Sequence, residues 1–239
     1  MPEKKDSLGD RMKRFYENRT RLFLPRRTYS IIRIDGKAFH TYTKGLNRPF
    51  DFKLMGDMDE TACYLCKNIQ GAKFAYVQSD EISILLTDFE GLTTDAWFDG
   101  NIQKIVSISS SLATAKFNEL RPNKIALFDS RIFTIPSSIE VENYFIWRQQ
   151  DATRNSIESS AQALYSPKQL FGKNTNDLQE MCFQKGINWN DYPIGFKRGR
   201  TIIKETYLKE EATRTRWISD EPPVFSQERN YLSNLIPQP

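Results

Sequence analysis

The order of two hydrophobic patterns constrains the fold of this chain more than any other feature. Short runs of β-branched and aromatic residues predict strands, and apolar residues that recur at spacings of three and four predict amphipathic helices. The predicted elements are, in chain order, a strand over 28–34, a helix over 54–69, strands over 73–78 and 82–87, a helix over 102–117 and a strand over 126–136. This β-α-β-β-α-β order is that of the ferredoxin-like unit, an α+β fold with an antiparallel sheet.

Beyond residue 137 the patterns change, and we expect a C-terminal extension that packs on this unit. Its predicted elements are a long helix from Ile139 towards Leu164, a shorter helix over 177–185, and a hairpin made by 196–207 and 213–218. We therefore divide the chain into a core with an N-terminal helix, residues 1–137, and a helical and hairpin extension, residues 138–239. The two parts are expected to act as a single unit.

The predicted topology brings together two carboxylates that are far apart in the sequence. Asp35 ends the first strand and Asp80 begins the third. A right-handed crossover makes strands one and two parallel, and in this fold the third strand runs antiparallel beside the first. Both acids should therefore lie at one edge of the sheet, on strands about 4.8 Å apart.

Two carboxylates at such an edge repel each other unless a cation lies between them. Carboxylate oxygens, with the backbone carbonyl of Gly36, suit Mg²⁺, which completes its coordination with water and substrate phosphate. A pair of such ions can catalyse phosphoryl transfer. Alternatively, each acid could serve only a solvated turn, since Asp-Gly is a common turn signal. The shared edge favours the metal site.

The residues after the first strand predict a site for a nucleoside triphosphate. Gly36 to His40 can form a helical turn whose backbone N–H groups face phosphate oxygens, and Lys37 and Arg48 can neutralise their charge. A P-loop is excluded because the chain has no G-x-x-x-x-G-K-[ST] motif. Phe39 fits a core position, and His40 fits either a nucleotide contact or a surface histidine.

Basic residues are concentrated in two segments, although the net charge of the chain is only +4. Residues 11–27 hold seven basic residues and one acidic residue, Glu17, and residues 196–216 hold seven basic and three acidic residues. Such clusters suit a polyanion such as RNA, although a solvated surface is the alternative. RNA bound in this way should dissociate more readily as the salt concentration rises.

The cysteine and histidine counts exclude two kinds of stabilising site. The three cysteines, Cys63, Cys66 and Cys182, form no disulfide framework, which suits a reducing compartment. A four-ligand zinc site lacks donors because His40 is the single histidine. No run is long and apolar enough to span a membrane, and the N-terminus has no apolar signal core. We expect a cytoplasmic protein with no membrane partner.

Six sequence blocks, spread in order over about residues 8–205, resemble the tRNA-histidine guanylyltransferase superfamily. They are I-I-R-I-D-G-K-A-F-H (31–40), N-R-P-F-D (47–51), Y-V-Q-S-D-E-I-S (76–83), K-I-V-S-I-S-S-S (104–111), F-D-S-R (128–131) and W-R-Q-Q-D (147–151). The first and third blocks together are specific. The resemblance implies a palm-like core, similar to that of ordinary polymerases, that adds nucleotides in the reverse, 3′–5′ direction.

The resemblance also implies roles for individual residues. Two Mg²⁺ ions would be held by Asp35, the Gly36 carbonyl and Asp80, with Ser79 and Glu81 supporting the same edge. The implied nucleotide-binding residues are Lys37, Ala38, Phe39 and His40 through the backbone, and Asn47, Arg48 and Asp51 around the pocket. The implied phosphate or RNA contacts are Lys104, Arg131, Asn155, Arg198 and Arg200.

The chemistry implied by the resemblance has two steps. ATP first activates the 5′-monophosphate end of a tRNA, and the 3′-hydroxyl of an incoming GTP or other nucleoside triphosphate then attacks that end. A homotetramer, arranged as a dimer of dimers, is also implied. Members that add the extra guanosine to tRNA-His carry H-I-N-N-L-Y-N, whereas residues 153–159 read T-R-N-S-I-E-S and keep only Asn155 clearly. This chain therefore looks like the branch that repairs 5′-truncated tRNAs by template pairing.

The sequence is also compatible with three alternative functions. The first is addition of guanosine at position −1 of tRNA-His. The second is a nucleotide cyclase, which shares the palm, although Q-S-D-E-I stands where a diguanylate cyclase has G-G-[DE]-E-F. The third is a non-catalytic RNA-binding module, in which Phe74 and Tyr76 would stack on bases.

Overall fold

A computed structural model describes residues 7–210 and 212–239 of the chain. Their six strands form one sheet in the order β4-β1-β3-β2-β5-β6, and all neighbouring strands are antiparallel. The strands are β1 (Tyr29–Gly36), β2 (Ala72–Gln78), β3 (Glu81–Leu86), β4 (Phe128–Ile135), β5 (Arg200–Lys209) and β6 (Ala212–Asp220). The helices are α1 (Leu8–Phe15), α2 (Phe39–Tyr42), α3 (Phe52–Asn68), α4 (Ile102–Leu120), α5 (Ser138–Gln162), α6 (Pro167–Leu170), α7 (Thr175–Gln184), α8 (Ile194–Arg198) and α9 (Arg229–Leu235).

The predicted β-α-β-β-α-β unit is confirmed by β1, α3, β2, β3, α4 and β4. As expected, β3 lies beside β1. Because β3 is antiparallel to both β1 and β2, those two strands are parallel to each other. The long helix α5 and the short helix α7 are also where the periodicity predicts them. The fold is therefore α+β, with an antiparallel sheet and a helical and hairpin extension.

Each face of the sheet carries its own buried cluster, because successive strand residues point to opposite faces. Ile32, Ile34, Ile82 and Ile84 belong to the cluster that includes residues of α3 and α4. Ile31, Phe74 and Leu85 belong to the cluster that includes residues of α5 and α9. At the end of β1 and the start of β3, the face that packs against α5 and α9 changes from apolar to polar residues. The candidate site lies at this point.

The hairpin begins later than predicted and joins the central sheet. Residues 194–198 form the helix α8 rather than a strand, and β5 begins only at Arg200, where it pairs with β2. Gly199 makes this turn with φ of 75°, and a Cβ there would lie 2.5 Å from the Tyr76 hydroxyl. Only glycine fits both this backbone conformation and this close approach. The division of the chain at residues 137 and 138 stays a prediction.

Among the described residues, no helix has the length and apolar character needed to cross a bilayer.

Candidate active site

Four polar side chains follow the α5 face of the sheet at the point where β1 ends and β3 begins. Arg33 and Asp35 alternate along β1, and Glu81 and Ser83 alternate along β3, with Arg33 opposite Ser83 and Asp35 opposite Glu81. Cross-strand partners point to the same face of a sheet. This edge opens into a cavity of about 600 Å³ whose lining includes Asp35 and Asp80. That volume is in the range of small-molecule and cofactor sites.

Asp35 and Asp80 lie close together, as the topology predicts. Asp35 is paired in register with Glu81, the residue that directly follows Asp80. The pKa of Asp80 is raised to about 6, chiefly by burial and in smaller part by the nearby charge of Asp35, against the lowering effect of a Ser79 hydrogen bond. In the part of the chain that the structure describes, no basic side chain lies within 4.0 Å of either carboxylate. The pair therefore lacks a compensating charge of its own.

Glu81 has the opposite environment, although it is the next residue in the chain. Its carboxylate accepts two hydrogen bonds from Arg148 on α5, Nε to Oε1 at 2.8 Å and Nη2 to Oε2 at 2.8 Å. Arg33 forms a further ion pair with the Glu81 Oε2 at 2.9 Å. A bidentate carboxylate–guanidinium pair has fixed geometry. Glu81 is thus buried and neutralised, and it ties the sheet edge to α5.

Ser79 holds the turn that presents Asp80. It lies between β2 and β3 with φ of 46°, in the left-handed region that non-glycine residues rarely adopt. Its hydroxyl donates a hydrogen bond of 2.9 Å to Oδ1 of Asp80. The predicted supporting role of Ser79 at this edge agrees with this contact and stays a prediction.

The turn after β1 leaves backbone N–H groups free beside the two acids. Ala38 has φ of 55° and precedes the short helix α2. Within the described ranges, the N–H groups of Ala38, Phe39 and His40 donate to no protein acceptor, whereas that of Lys37 donates to the Leu127 carbonyl at 2.8 Å. Successive N–H groups around a left-handed residue form a concave anion site. The turn therefore offers three of the four predicted N–H groups to phosphate.

Phe39 itself lies in the core, and its ring packs against Gly36 of this turn. Its ring is 5% exposed and stacks on Tyr42 with centroids 4.9 Å apart. A Cβ on Gly36 would overlap the Phe39 ring, so the turn needs glycine at that position. The exposed His40 side chain lines the cavity, and its Nε2 lies 3.0 Å from the Thr41 hydroxyl.

The loop before α3 forms the next part of the cavity wall. Asp51 caps α3, because its Oδ1 accepts from the Leu54 N–H at 2.8 Å. Its Oδ2 accepts from the Asn47 N–H at 3.3 Å, which closes the loop on itself. Asn47 and Arg48 are exposed and line the cavity. Asp51 thus fixes the shape of the loop through the backbone, and Arg48 places an exposed cation at the cavity wall.

The donor set at the edge fits Mg²⁺ better than a transition metal. In the described residues, no group of three or more His, Cys, Asp and Glu side chains has the arrangement of a metal site. Two carboxylates with one backbone carbonyl leave most of a coordination shell to water and phosphate, as is usual for Mg²⁺. The free charge of Asp35 and Asp80 fits such an ion, and the paired Glu81 does not.

Comparison with known proteins places the chain in a family. A family model described as tRNAHis guanylyltransferase, Thg1, matches residues 9–136, which is more than half of the chain. The protein belongs to the Thg1 family. It is therefore a nucleotidyltransferase of the tRNA guanylyltransferase type, with the palm fold of that family.

Several members of the Thg1 family resemble the chain over most of its length. Two solved structures of a bacterial tRNA(His) guanylyltransferase (Thg1)-like protein, in complex with ATP and with GTP, are 51% and 52% identical, with TM-scores of 0.86 and 0.85. Each match covers 96% of this chain and 99% of that chain. The tRNA(His) guanylyltransferase of Debaryomyces hansenii is 28% identical over 206 residues, which is 77% of this chain and 76% of that protein.

The residues predicted to contact RNA do not gather at one place. Asn155 is exposed on α5 and lines the cavity, where its amide donates to Asp151 at 3.3 Å. Lys104 is exposed on α4, which packs against the other face of the sheet. Arg131 is exposed on β4 and pairs with Asp129 at 3.3 Å. Of these three residues, only Asn155 lines the cavity.

The two arginines near the hairpin differ in exposure. Arg198 is half-buried, with its guanidinium carbon 6.0 Å from the Trp189 ring centroid. Arg200 is 5% exposed, and its guanidinium binds Asp59 at 2.7 Å and the Gly195 carbonyl at 3.2 Å. The contacts of Arg200 are structural, because they join β5 to α3 and α8. Arg200 also lines the cavity, and the RNA or phosphate roles of both arginines stay predictions.

Several residues of the site were not predicted from the sequence. Arg33 interrupts an apolar strand, and Arg148 lies among apolar positions of α5, so an unexplained buried charge was the available signal for both. The aromatic pair Phe50 and Phe196 also lines the cavity. No local pattern could have found that pair, because the two rings meet only through the fold.

Proposed function

We propose that this protein is a Mg²⁺-dependent 3′–5′ nucleotidyltransferase that rebuilds the 5′ end of truncated tRNA on a template. The observation that carries the proposal is the edge of β1 and β3, where Asp35 and Asp80 have no cationic partner among residues 7–210 and 212–239 while Glu81 has two. Free N–H groups at residues 38–40 lie in the turn that directly follows Asp35. The edge thus combines a site for cations with a site for phosphate.

Two Mg²⁺ ions bound by Asp35, the Gly36 carbonyl and Asp80 would activate an attacking oxygen and stabilise a leaving one. The chain itself orients the reactants. The turn at residues 38–40 binds triphosphate oxygens through its N–H groups, and Arg48 neutralises their charge. Glu81, held by Arg33 and Arg148, fixes the position of the strand end on which Asp80 is presented.

The reaction that fits this site has two displacements. An oxygen of the RNA 5′-monophosphate attacks the α-phosphorus of ATP, and pyrophosphate leaves. The 3′-hydroxyl of a second nucleoside triphosphate then attacks the activated 5′-phosphorus, AMP leaves, and the hydroxyl proton passes to solvent. Relatives solved with ATP and with GTP support both nucleotides as substrates.

A second candidate is the addition of guanosine at position −1 of tRNA-His. The family model and curated relatives such as the D. hansenii enzyme carry that activity in their descriptions. The segment over 153–159 favours repair instead, because it lacks the H-I-N-N-L-Y-N block expected of dedicated tRNA-His enzymes. Template pairing would place the choice of nucleotide in the RNA.

Extension of defined RNAs tests the proposal. A tRNA lacking its first 5′ nucleotide is incubated with ATP, all four nucleoside triphosphates and either Mg²⁺ or EDTA, and full-length tRNA-His serves as the competing substrate. We expect extension only with Mg²⁺, ending when the 5′ end is paired, and none by Asp80→Ala. Exclusive addition to tRNA-His would support the second candidate, and cyclic nucleotide from triphosphate alone would identify a cyclase.

The assembly and the location belong to the same proposal. A homotetramer is expected from the family, and light scattering coupled to size-exclusion chromatography measures it directly. All three cysteines are free, and Cys66 and Cys182 are buried. Free buried thiols suit a reducing compartment such as the cytoplasm.

A further inference from the structure

Four aromatic rings from distant parts of the chain meet beside the candidate active site. Phe50, in the loop before α3, stacks on Phe196 of α8 with centroids 4.7 Å apart and planes 11° apart. Tyr192 meets Phe50 edge-on at 5.0 Å, and Phe52 meets Phe196 edge-on at 4.7 Å. The cluster joins a loop of the core to the C-terminal extension.

Two of these rings face the cavity rather than the core. Phe50 and Phe196 line the same 600 Å³ cavity as Asp35 and Asp80 and are half-buried, whereas the core ring of Phe39 is only 5% exposed. Phe52 belongs to the cluster but is 66% exposed and does not line the cavity. A large ring at the wall of a polar cavity gives up part of the stabilisation that full burial in the core would provide.

The rings line the same cavity as the phosphate-binding turn. His40 of the turn lines it, as do Thr43, Leu46, Asn47 and Arg48, which lie between the turn and Phe50 in the sequence. A nucleoside triphosphate has the same order of groups, with charged phosphates at one end and a flat apolar base at the other. The cavity thus brings together the N–H donors of the turn, the exposed cation Arg48 and the aromatic pair Phe50 and Phe196.

We infer that Phe50 and Phe196 form a stacking wall for the base of the nucleoside triphosphate whose phosphates bind at residues 38–40. This inference rests on the proposed nucleotidyltransferase function and assigns the base subsite within it. The ligand class is a purine or pyrimidine nucleotide. The base contacts a ring face or edge of the pair, and α8 brings Phe196 to it from the C-terminal extension.

A stacking wall has a consequence for nucleotide choice. Aromatic rings bind every base through its flat face and do not read its pattern of hydrogen-bond donors and acceptors. ATP, GTP and inosine triphosphate should therefore bind with affinities within about threefold of one another, and pyrimidine triphosphates should bind somewhat more weakly because they stack less. Selection among nucleotides is then left to pairing with the RNA template.

Binding of ATP and of inorganic tripolyphosphate, by equilibrium dialysis with Mg²⁺, separates the base from the phosphates. Phe196→Leu should weaken ATP binding by about tenfold, the order expected for loss of one base–aromatic contact, and leave tripolyphosphate binding unchanged. Phe196→Tyr keeps the ring and should retain ATP affinity. Phe52→Leu is the matched control, since it removes a ring of the same cluster that lies outside the cavity.

Three outcomes would overturn the inference. Equal loss of ATP and tripolyphosphate binding in Phe196→Leu would show that the ring supports the loop instead of the base. An unchanged ATP affinity in both Phe50→Leu and Phe196→Leu would show that the base binds elsewhere. A strong preference of the wild type for GTP over ATP and inosine triphosphate would show that hydrogen bonds read the base.

The test is independent of the proposed activity. Nucleotide binding is measured without RNA, so a protein that fails to extend tRNA can still show the base contribution, and that result would reject the repair function alone. Thermal unfolding of each variant confirms that the fold is intact. If Phe196→Leu unfolds early, Phe50→Leu with the same two ligands gives the decisive comparison.

Discussion

Replacing Asp80 by Asn should stabilise the metal-free protein at alkaline pH while removing its activity. Burial holds the pKa of the Asp80 carboxyl at about 6 in the folded protein, against an ordinary value of 3.8. Because the folded state binds this proton more tightly than the unfolded state, the stability it contributes is present below pH 3.8 and lost as the pH rises through about 6. Above that pH, the charged carboxylate opposes folding.

The size of the effect follows from the shift. About two pKa units at roughly 1.4 kcal/mol each give about 3 kcal/mol, and partial exposure of Asp80 reduces this to on the order of 2 kcal/mol through solvent screening. Asn keeps the shape of the side chain and can still accept from the Ser79 hydroxyl. The variant should therefore gain about 2 kcal/mol at pH 8 and almost nothing near pH 4.

Urea unfolding in EDTA at pH 4, 6 and 8, followed by tryptophan fluorescence, measures this difference. Other groups titrate over the same range, but they cancel when the two proteins are compared at each pH. Asp129→Asn is the matched control, because Asp129 is opposite Asp35 in the sheet but is exposed and does not line the cavity. A gain that is the same at every pH, or a loss at pH 8, would refute the reasoning.

Addition of Mg²⁺ at pH 8 completes the experiment. A cation that binds between Asp35 and Asp80 stabilises only the folded state, so the wild type should gain stability with Mg²⁺ concentration. Asp80→Asn has lost one ligand and should gain little. If Mg²⁺ stabilises both proteins equally, the ion binds at another place.

Three further predictions concern the rest of the site. Arg148→Met should destabilise the protein by about 3 kcal/mol, because it leaves Glu81 buried with one cation fewer, and the double variant with Glu81→Gln should recover part of this loss in urea unfolding. Gly199→Ala should lower the free energy of unfolding by more than 1 kcal/mol, since its positive φ and its contact with Tyr76 both exclude a Cβ; an unchanged melting temperature would contradict this. Arg198→Ala should weaken tRNA binding in filter assays more than ATP binding, and the affinity of the wild type for tRNA should fall steeply with salt; equal losses for both ligands would assign Arg198 to the triphosphate.

Local patterns were sufficient to predict the six elements of the β-α-β-β-α-β unit and the meeting of Asp35 with Asp80. Periodicity within a segment defines a strand or a helix, and the handedness of the crossover then fixes which strand ends share an edge. The periodicity rule needs only the residues of one segment, and the handedness rule applies to every chain with this order of elements. For that reason the edge could be located without knowing any side-chain contact.

Contacts between distant segments could not be predicted in the same way. The phosphate or RNA contact that the resemblance implies for Arg200 stays a prediction, whereas the ion pair of its guanidinium with Asp59 of α3 was not predicted. The pairing of Arg148 with Glu81 likewise depends on how α5 packs across the sheet. Sequence spacing within one segment contains no information on such partners, since they are set by the packing of separate elements.

The adjacent acids Asp80 and Glu81 have different environments because neighbouring residues of a chain entering a strand point in different directions. Glu81 is the first residue of β3 and points with Asp35 towards α5, where Arg148 and Arg33 neutralise it. Asp80 lies one residue earlier, in the turn, and is therefore outside this ion-pair network. A carboxylate with two guanidinium partners gains little from a metal ion, whereas one beside an unpaired carboxylate gains much. Replacing Glu81 by Gln should consequently leave the Mg²⁺-dependent stabilisation of the fold in place, and loss of that stabilisation would make Glu81 a ligand.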